Sequence, residues 1–537
     1  MRTFLNCCFL ILLMNLPGCQ SPEKHSLTNG FAAQLKLDST ELLVTEVRGN
    51  LEVPWEITVG PDGWIWFTEQ NGMVNRLNPE TGETRVILMI PDVLYKKSLG
   101  LLSMAIHPSF SDNPYVYLHY TFSVDSTIKS RIVRYSYVNE KLTSPFVLLD
   151  SIPGMTYHNG SRMVISSDEK LFFSMGDAGE KKLSQDINHL NGKVLRINLD
   201  GSIPSNNPFT NNPLWTYGHR NPQGLIFGQK GQLYSSEHGV NNDDEINLLK
   251  KAENYGWPLV EGKCDLPAEI ESCHVCNVNE PIFSWSPTVA VAGIDYYNHT
   301  AIPEWRNSLL VANLKGRALR VLNLSEDGSE VLDEHIFFQR VFGRIRDLCV
   351  SQNGDIFLST SNLDWHPQLQ PWMYDSLPEG SDRIFRIQVL TEVMKRKLSD
   401  QLPVLTLKED SMALTIEDEV WDFQANSNEI SEGQSVYRKH CIQCHQANGQ
   451  GVNGLYPPLK DTDWVTGDKS RLIQVLLKGL SGKIEVNGQA YQQEMPAFAN
   501  LSDDEIANVL SYVRSAFEND AGAVIPGEVH EERKVLR

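Results

Sequence analysis

Two sets of residues in this chain have the types and spacing to do chemistry. The first is scattered. It comprises His158 in a Tyr-His-Asn-Gly turn, Asp177 after an apolar run, Arg220 and Asn221 in GHRNPQGLIF (218–227), Lys315, and the pair Arg344 and Arg346. A histidine with an ordinary pKa of about 6.5 takes a proton at neutral pH, and a carboxylate beside it fixes the tautomer. Arginines and a lysine at one place suit an anionic ligand, planar carboxylates above all. Taken singly, each has an ordinary explanation: a lone turn histidine is a surface residue, and Arg344 or Arg346 can bridge to Asp347 or Glu237. Ion pairing accounts for one arginine well. It accounts poorly for three arginines, a lysine and a histidine, provided the fold brings them together.

The second set is local. Cys441-Ile442-Gln443-Cys444-His445 is the attachment pattern for c-type haem. The two thiols add to the haem vinyl groups and His445 reaches the iron. Met495, followed by Pro496, is the natural sixth ligand, and a Met/His pair tunes such an iron for electron transfer.

The elements that must position the first set form a repeat. Residues 57–69 (ITVGPDGWIWFTE), 163–176, 225–237 and 348–360 are each two short apolar strands about a tight polar turn, a hairpin signature. Looser copies fill 104–120 and 293–314. Six such units predict an all-β six-bladed propeller. A solenoid is the alternative, but no fixed short period supports it. If the first strand of each unit is innermost, residues before first strands and after second strands ring one mouth of the channel. His158, Arg220, Asn221, Arg344 and Arg346 fall in the first class; Glu69, Asp177, Glu237, His238, Gly239, Lys315 and Thr360 fall in the second.

Length and charge bound the rest. The 537 residues allow more than one core. Asp and Glu total 67 against 47 Lys and Arg, a net charge of −20 that argues against nucleic acid as a partner. Arg2 and the apolar run Phe4 to Leu16 read as a signal peptide, too short for a membrane span. Leu16-Pro17-Gly18-Cys19 resembles a bacterial lipobox, which implies acylation of Cys19 and a membrane anchor on the exported, periplasmic or cell-surface side. In an oxidising compartment Cys264 can pair with Cys273 or Cys276. A zinc site with His274 is the competing reading, without regular finger spacing. Cys349 reads as an inert buried thiol.

GKVLRINLDGSIPSNNP (192–208), GHRNPQGLIF (218–227) and SEHGVNNDDEINLLKKAENYGWP (236–258) resemble the soluble, calcium- and pyrroloquinoline-quinone-dependent glucose/aldose dehydrogenase family over roughly 50–390. The resemblance implies hydride removal from the anomeric carbon of a sugar to the quinone (PQQ). It implies His158 as base and Asp177 as its orienting carboxylate, with Arg220, Asn221, Thr288, Lys315, Arg344 and Arg346 around the quinone. It implies backbone carbonyls of Gly239 and Val240 on a catalytic Ca2+, and Glu245 and Tyr255 at a structural one. This chain departs from the family at Ser98, where a glutamine stands near quinone and sugar, and at Ser286, where a tryptophan lines the cleft. The match therefore says aldose-type dehydrogenase and not which sugar.

The later segment resembles a class I cytochrome c. Ser502 with Glu505 reads as a capping box opening a helix whose stripe is Ile506, Val509, Leu510 and Val513. The predicted division is a signal peptide over 1–18, a tether over 19–42, the propeller over 43–390, a linker over 391–428, a small all-α cytochrome c domain over 429–520, and a polar, disordered tail over 521–537. The expectation is a quinohaemoprotein passing electrons from sugar to haem c and on to an external cytochrome or quinone pool. Its rivals are a non-catalytic propeller that binds glycan or protein, and a dehydrogenase of a non-sugar alcohol or aldehyde.

Overall fold

The computed structural model describes residues 32–265, 267–369, 374, 377–378, 380–398, 405–407, 433–434, 436–437, 440–446, 449–519 and 521–535. The signal segment and Cys19 lie outside them. Among the described residues no helix is long and apolar enough to cross a membrane.

The hairpin repeats become six four-stranded antiparallel units. Their first strands, Pro54–Val59, Leu101–Ile106, Met163–Ile165, Pro222–Phe227, Val291–Tyr297 and Ile345–Val350, pack on one another in succession and form the inner ring. The second strands are sandwiched between neighbouring blades. Ile65–Glu69, Leu233–Glu237, Ser308–Asn313 and Ile356–Thr360 are buried at every position. Burial on both faces is why these strands read as continuous apolar runs rather than alternating ones. The core is accordingly six interblade layers. One, built on Tyr117, Phe173, Leu195 and Ile197, lies between blades two and three; another, on Trp66, Leu101, Leu118 and Val133, lies between blades one and two.

The ring closes by strand exchange: Glu41–Leu51 pairs with Asp382–Val389 and supplies the fourth strand of the last blade. Two further strands extend that blade. Ala32–Lys36 pairs antiparallel with Glu41–Leu51, and Leu405–Leu407 pairs parallel with Ala32–Lys36. These correct two expectations. The stretch from Ala32, read as tether, is a strand with Ala33 and Leu35 in the core; the start of the predicted linker carries a helix, Glu392–Leu398, and that strand. Glu304 holds the turn before the closing strand, accepting from Ser39 N and Oγ, Thr40 N and Thr40 Oγ1 at 2.8–2.9 Å.

A polar plug fills the axis. Arg162 Nη1 lies 2.6 Å from Glu56 Oε2 and 2.9 Å from Asp347 Oδ2, while Ser103 Oγ donates to Glu56 at 3.0 Å. Burial, with Asp347 adding to it against Arg162, raises the Glu56 pKa above the usual carboxylate range.

Cys264 is disulfide-bonded to Cys273, leaving Cys276 free, and Cys349 is a buried thiol whose pKa burial raises.

The haem-motif segment has its own core, with Tyr437, Ile473, Ile506, Leu510 and Val529 at its centre. Helix Asp503–Ser515 opens on the expected capping box at Ser502 and Glu505. The predicted disordered tail is instead a helix, Pro526–Val535. Val529 is fully buried, Lys469 Nζ donates to Glu528 Oε1 at 3.0 Å, and Arg533 Nε donates to Asp503 Oδ1 at 2.8 Å. One buried valine, ion pairs and hydrogen bonds such as Gln474 Nε2 to Glu532 Oε2 at 2.7 Å and Arg533 Nη2 to Leu501 O at 2.7 Å dock a helix whose composition alone reads as solvated.

Candidate active site

His158 sits in the turn that enters the third inner strand, with its backbone in the left-handed region at φ 55°. The turn lies hard against the strand end: a Cβ on Gly176 would come within 2.2 Å of His158 O, so glycine is required there. Ala178 N donates to the same carbonyl at 3.0 Å. This contact delivers Asp177 to the imidazole. His158 Nδ1 is 2.8 Å from Asp177 Oδ1, which also accepts from Gly179 N at 2.8 Å, while Oδ2 accepts from Trp257 Nε1 at 2.9 Å. A carboxylate on Nδ1 makes that nitrogen the donor and leaves the Nε2 lone pair free. Burial, helped by Arg220 and opposed by Asp177, lowers the His158 pKa, so the ring is neutral at physiological pH. Burial would raise Asp177, but its hydrogen bonds from His158, Gly179 and Trp257 prevail and hold it below the usual range.

The predicted cationic groups converge on the same mouth. Arg220 N and Asn221 N both donate to Glu237 Oε1, at 3.1 Å for Asn221. Glu237 Oε2 is 2.8 Å from the buried His219 Nδ1, and His219 Nε2 is 2.8 Å from Thr216 Oγ1. The clamp backbone is thus fixed from within its own blade. Arg220 Nη1 donates to His238 O at 3.1 Å, its guanidinium lies over Trp257, and its Nε is buried without a partner. Asn221 Oδ1 accepts from Gly160 N at 3.1 Å and from Gln223 Nε2 at 3.2 Å. Gln223 Oε1 meets Arg346 Nη1 at 3.5 Å. Arg344 and Arg346 share Asp364 Oδ2 at 2.7 and 2.9 Å, so their counterion is neither Asp347 nor Glu237. Tyr374 OH also meets Arg344, and Arg346 stacks 4.0 Å over Trp55. Lys315 Nζ donates to Thr288 Oγ1 at 3.1 Å.

Sequence reasoning missed Gln223, Trp257 and Asp364. Gln223 carries the one available signal, an amide inside an otherwise apolar strand entry. The positive charge is under-compensated. Burial lowers Lys315 to about 8 despite Asp244 and Cys444, and Arg346 to about 10 despite Asp364. A lone buried Nε and cations driven toward neutrality fit an anionic ligand.

Gly239 and Val240 lie in the loop after the second strand of blade four. Gly239 N donates to Asp244 Oδ1 at 2.9 Å, Asp244 Oδ2 accepts from Val289 N at 2.7 Å, and Val240 N donates to Glu261. Burial raises Glu261 and Glu245, and neighbouring carboxylates add to it: Asp243 in both cases, Glu269 for the first and Glu237 for the second. Buried carboxylates crowded this way, beside two consecutive backbone carbonyls, fit a hard cation. Glu245 already accepts from Gly262 N and Asn247 Nδ2, each at 2.8 Å. The Tyr255 hydroxyl donates to Leu248 O at 2.7 Å and accepts from Lys250 N at 2.8 Å, so of Tyr255 only the carbonyl is left for a cation. Among the described residues no group of three or more His, Cys, Asp or Glu side chains is arranged to hold a metal.

Cys441 and Cys444 open the short helix Ile442–His445 as free thiols. His445 is buried, its Nδ1 2.9 Å from Pro457 O; burial lowers its pKa, leaving a neutral ring with Nε2 available to iron. Met495 packs on the same core and is bridged to Leu480. This donor set fits haem c.

The glucose/sorbosone dehydrogenase family model matches residues 51–366, and the cytochrome c model matches 430–517. Quinoprotein glucose dehydrogenase B of Acinetobacter calcoaceticus is 32% identical over 398 residues, spanning 58% of this chain and 83% of that protein. Cytochrome c-552 of Thermus thermophilus is 43% identical over 91 residues, 16% of this chain and 69% of that protein. The PQQ-bound form of an aldose sugar dehydrogenase from Streptomyces coelicolor superposes with a TM-score of 0.56 at 29% identity, covering 65% of this chain and 98% of that one. The chain belongs to the glucose/sorbosone dehydrogenase family and carries a cytochrome c domain after the propeller.

Proposed function

We propose that this protein oxidises an aldose at the anomeric carbon, with PQQ and Ca2+ in the propeller mouth, and passes the electrons to haem c. The observation that carries the reading is the His158–Asp177 dyad, its Nε2 lone pair open, beside buried cations that lack full counterions. His158 Nε2 takes the proton of the anomeric hydroxyl. Asp177 keeps the receptive tautomer and stabilises the imidazolium that forms. When bound, the quinone supplies the acceptor for the hydride that leaves the same carbon. Arg220, Asn221, Thr288, Lys315, Arg344 and Arg346 hold its carboxylates. Gly239 and Val240 carbonyls would hold a calcium, and Glu245 and the Tyr255 carbonyl a second, structural one. Covalently attached through Cys441 and Cys444 and ligated by His445 and Met495, haem supplies a one-electron carrier. Export with acylation at Cys19, and an external cytochrome or quinone pool as final acceptor, complete the reading.

The test is reconstitution. Full-length haem-loaded protein is supplied with PQQ and Ca2+, aldoses are added singly, and the haem spectrum is followed. At least one aldose should reduce the haem, and His158→Ala should abolish that while quinone still binds. A fully loaded protein whose haem no aldose reduces sinks the proposal.

A further inference from the structure

The acceptor side of the cleft is defined by charge, whereas the side facing the substrate is defined by an exposed ring. Tyr157 precedes His158 and is 43% exposed, with its ring 5.0 Å from the imidazole at an interplanar angle of 83°. Isolated exposed apolar residues are common, so exposure alone means little. Three contacts set this one apart. First, the ring rests on Gly179 beside the dyad: a Cβ there would strike Tyr157 Cε2 and OH at 2.9 Å, so the bare backbone supports the ring. Second, the residue before it is pinned. Thr156 O accepts from Ser98 Oγ at 2.8 Å and from Ser98 N at 3.4 Å. The short Ser98 side chain is thus spent on the neighbouring loop that carries Tyr157 and His158. Third, Ser286 on the other side is likewise tied down, donating to Asp243 Oδ1 at 2.7 Å.

Both serines are therefore consumed by contacts to neighbouring loops, and the large surface left beside the base is the Tyr157 ring. Resting on the functional reading above, we propose that Tyr157 is the specificity platform of the substrate cleft: its ring carries the C–H face of an aldopyranose whose anomeric hydroxyl points at His158 Nε2. The negative face of an aromatic ring attracts the polarised C–H bonds of a sugar, and a rigid ring loses little entropy in doing so. The platform selects substrates with a continuous C–H face and carries no charge to or from the reacting carbon.

The test uses holoprotein loaded with haem, PQQ and Ca2+, with whichever of D-glucose, D-galactose, D-xylose and maltose the wild type oxidises fastest. Tyr157→Ala and Tyr157→Leu should each raise KM about 10-fold with kcat within threefold, the size of effect a lost anchor ring gives. Tyr157→Phe should restore wild-type KM, and quinone titration should give the same Kd in all four proteins. A wild type that oxidises an aldose alongside a Tyr157→Ala variant of unchanged KM removes the platform alone. A variant that loses kcat and shifts the pH profile at constant KM makes Tyr157 a prop for His158 and overturns the proposal. A wild type that oxidises none of the sugars removes the functional reading and the platform with it.

Discussion

Replacing Asp177 by asparagine tests the dyad with little change of shape. Asp177 Oδ1 accepts from His158 Nδ1 and Gly179 N, and Oδ2 accepts from Trp257 Nε1. An amide offers one acceptor end. With its oxygen toward His158 and Gly179 it keeps two bonds and sets its own NH2 against the Trp257 N–H; turned round, it accepts from Trp257 and donates to His158 Nδ1, which then carries no proton, and faces Gly179 N–H with a donor. The first orientation, in which His158 retains its tautomer and loses the negative charge behind it, sets the smaller effect; the second also moves the ring proton to Nε2 and removes the base. A hydrogen bond to a charged partner is worth about 1.5–3 kcal/mol. Its loss falls on the imidazolium formed in the transition state, so kcat should drop roughly 10- to 150-fold. Asp177 is also what holds the His158 pKa up against burial and Arg220. Removing its charge lowers that pKa further, and the acid limb of kcat/KM should move to lower pH. Stopped-flow haem reduction across pH measures both, and quinone titration checks that the cofactor still binds. A variant with kcat within threefold of wild type, or with an acid limb moved upward, would refute the assignment.

Three further outcomes follow from contacts elsewhere. Asp364→Asn leaves Arg344 and Arg346 charged and buried without their shared carboxylate, and breaking such a pair costs about 3–5 kcal/mol; urea unfolding of the propeller should show it, and an unchanged midpoint would not fit. Deleting 526–535 uncovers Val529 and its neighbours, so haem-domain stability followed by haem absorbance should fall by about 2–3 kcal/mol while the propeller transition stays put. Lys315 is depressed to about 8 from 10.5, so below that window it is charged in both free and quinone-bound protein. An anionic quinone raises it again, binding takes up a proton between those values, and affinity measured by titration should weaken as pH rises above about 8; a flat profile would detach Lys315 from the quinone.

What the sequence disclosed, and what it did not, divides along physical lines. The blades were legible because strands buried on both faces leave unbroken apolar runs, such as Ile65–Glu69, about polar turns. Once the first strand was taken as innermost, the turn geometry alone sent His158, Asp177, Arg220 and the Arg344/Arg346 pair to one mouth. The two strands that extend the last blade were not legible, because Ala32–Lys36 and Leu405–Leu407 are short and the pairing of the second to the first comes from distant chain. The last helix was missed because a single fully buried valine, Val529, docks an otherwise charged segment. The choice between Cys273 and Cys276 was open because both lie on one helix, three residues apart. Asp364 is the most instructive case. It lies in a stretch with no periodicity, yet it alone balances Arg344 and Arg346, and so it decides how much positive charge remains for a ligand. A count of arginines at a mouth cannot tell a saturated ion-pair network from an anion site. The structure favours the second: Arg220 Nε is buried without a partner, and burial depresses Lys315 and Arg346 despite Asp244 and Asp364, which fits an anionic ligand at this mouth. That buried cation, set against a histidine whose own carboxylate is fully bonded, is what supports the proposed cofactor cleft over a salt-bridged propeller rim.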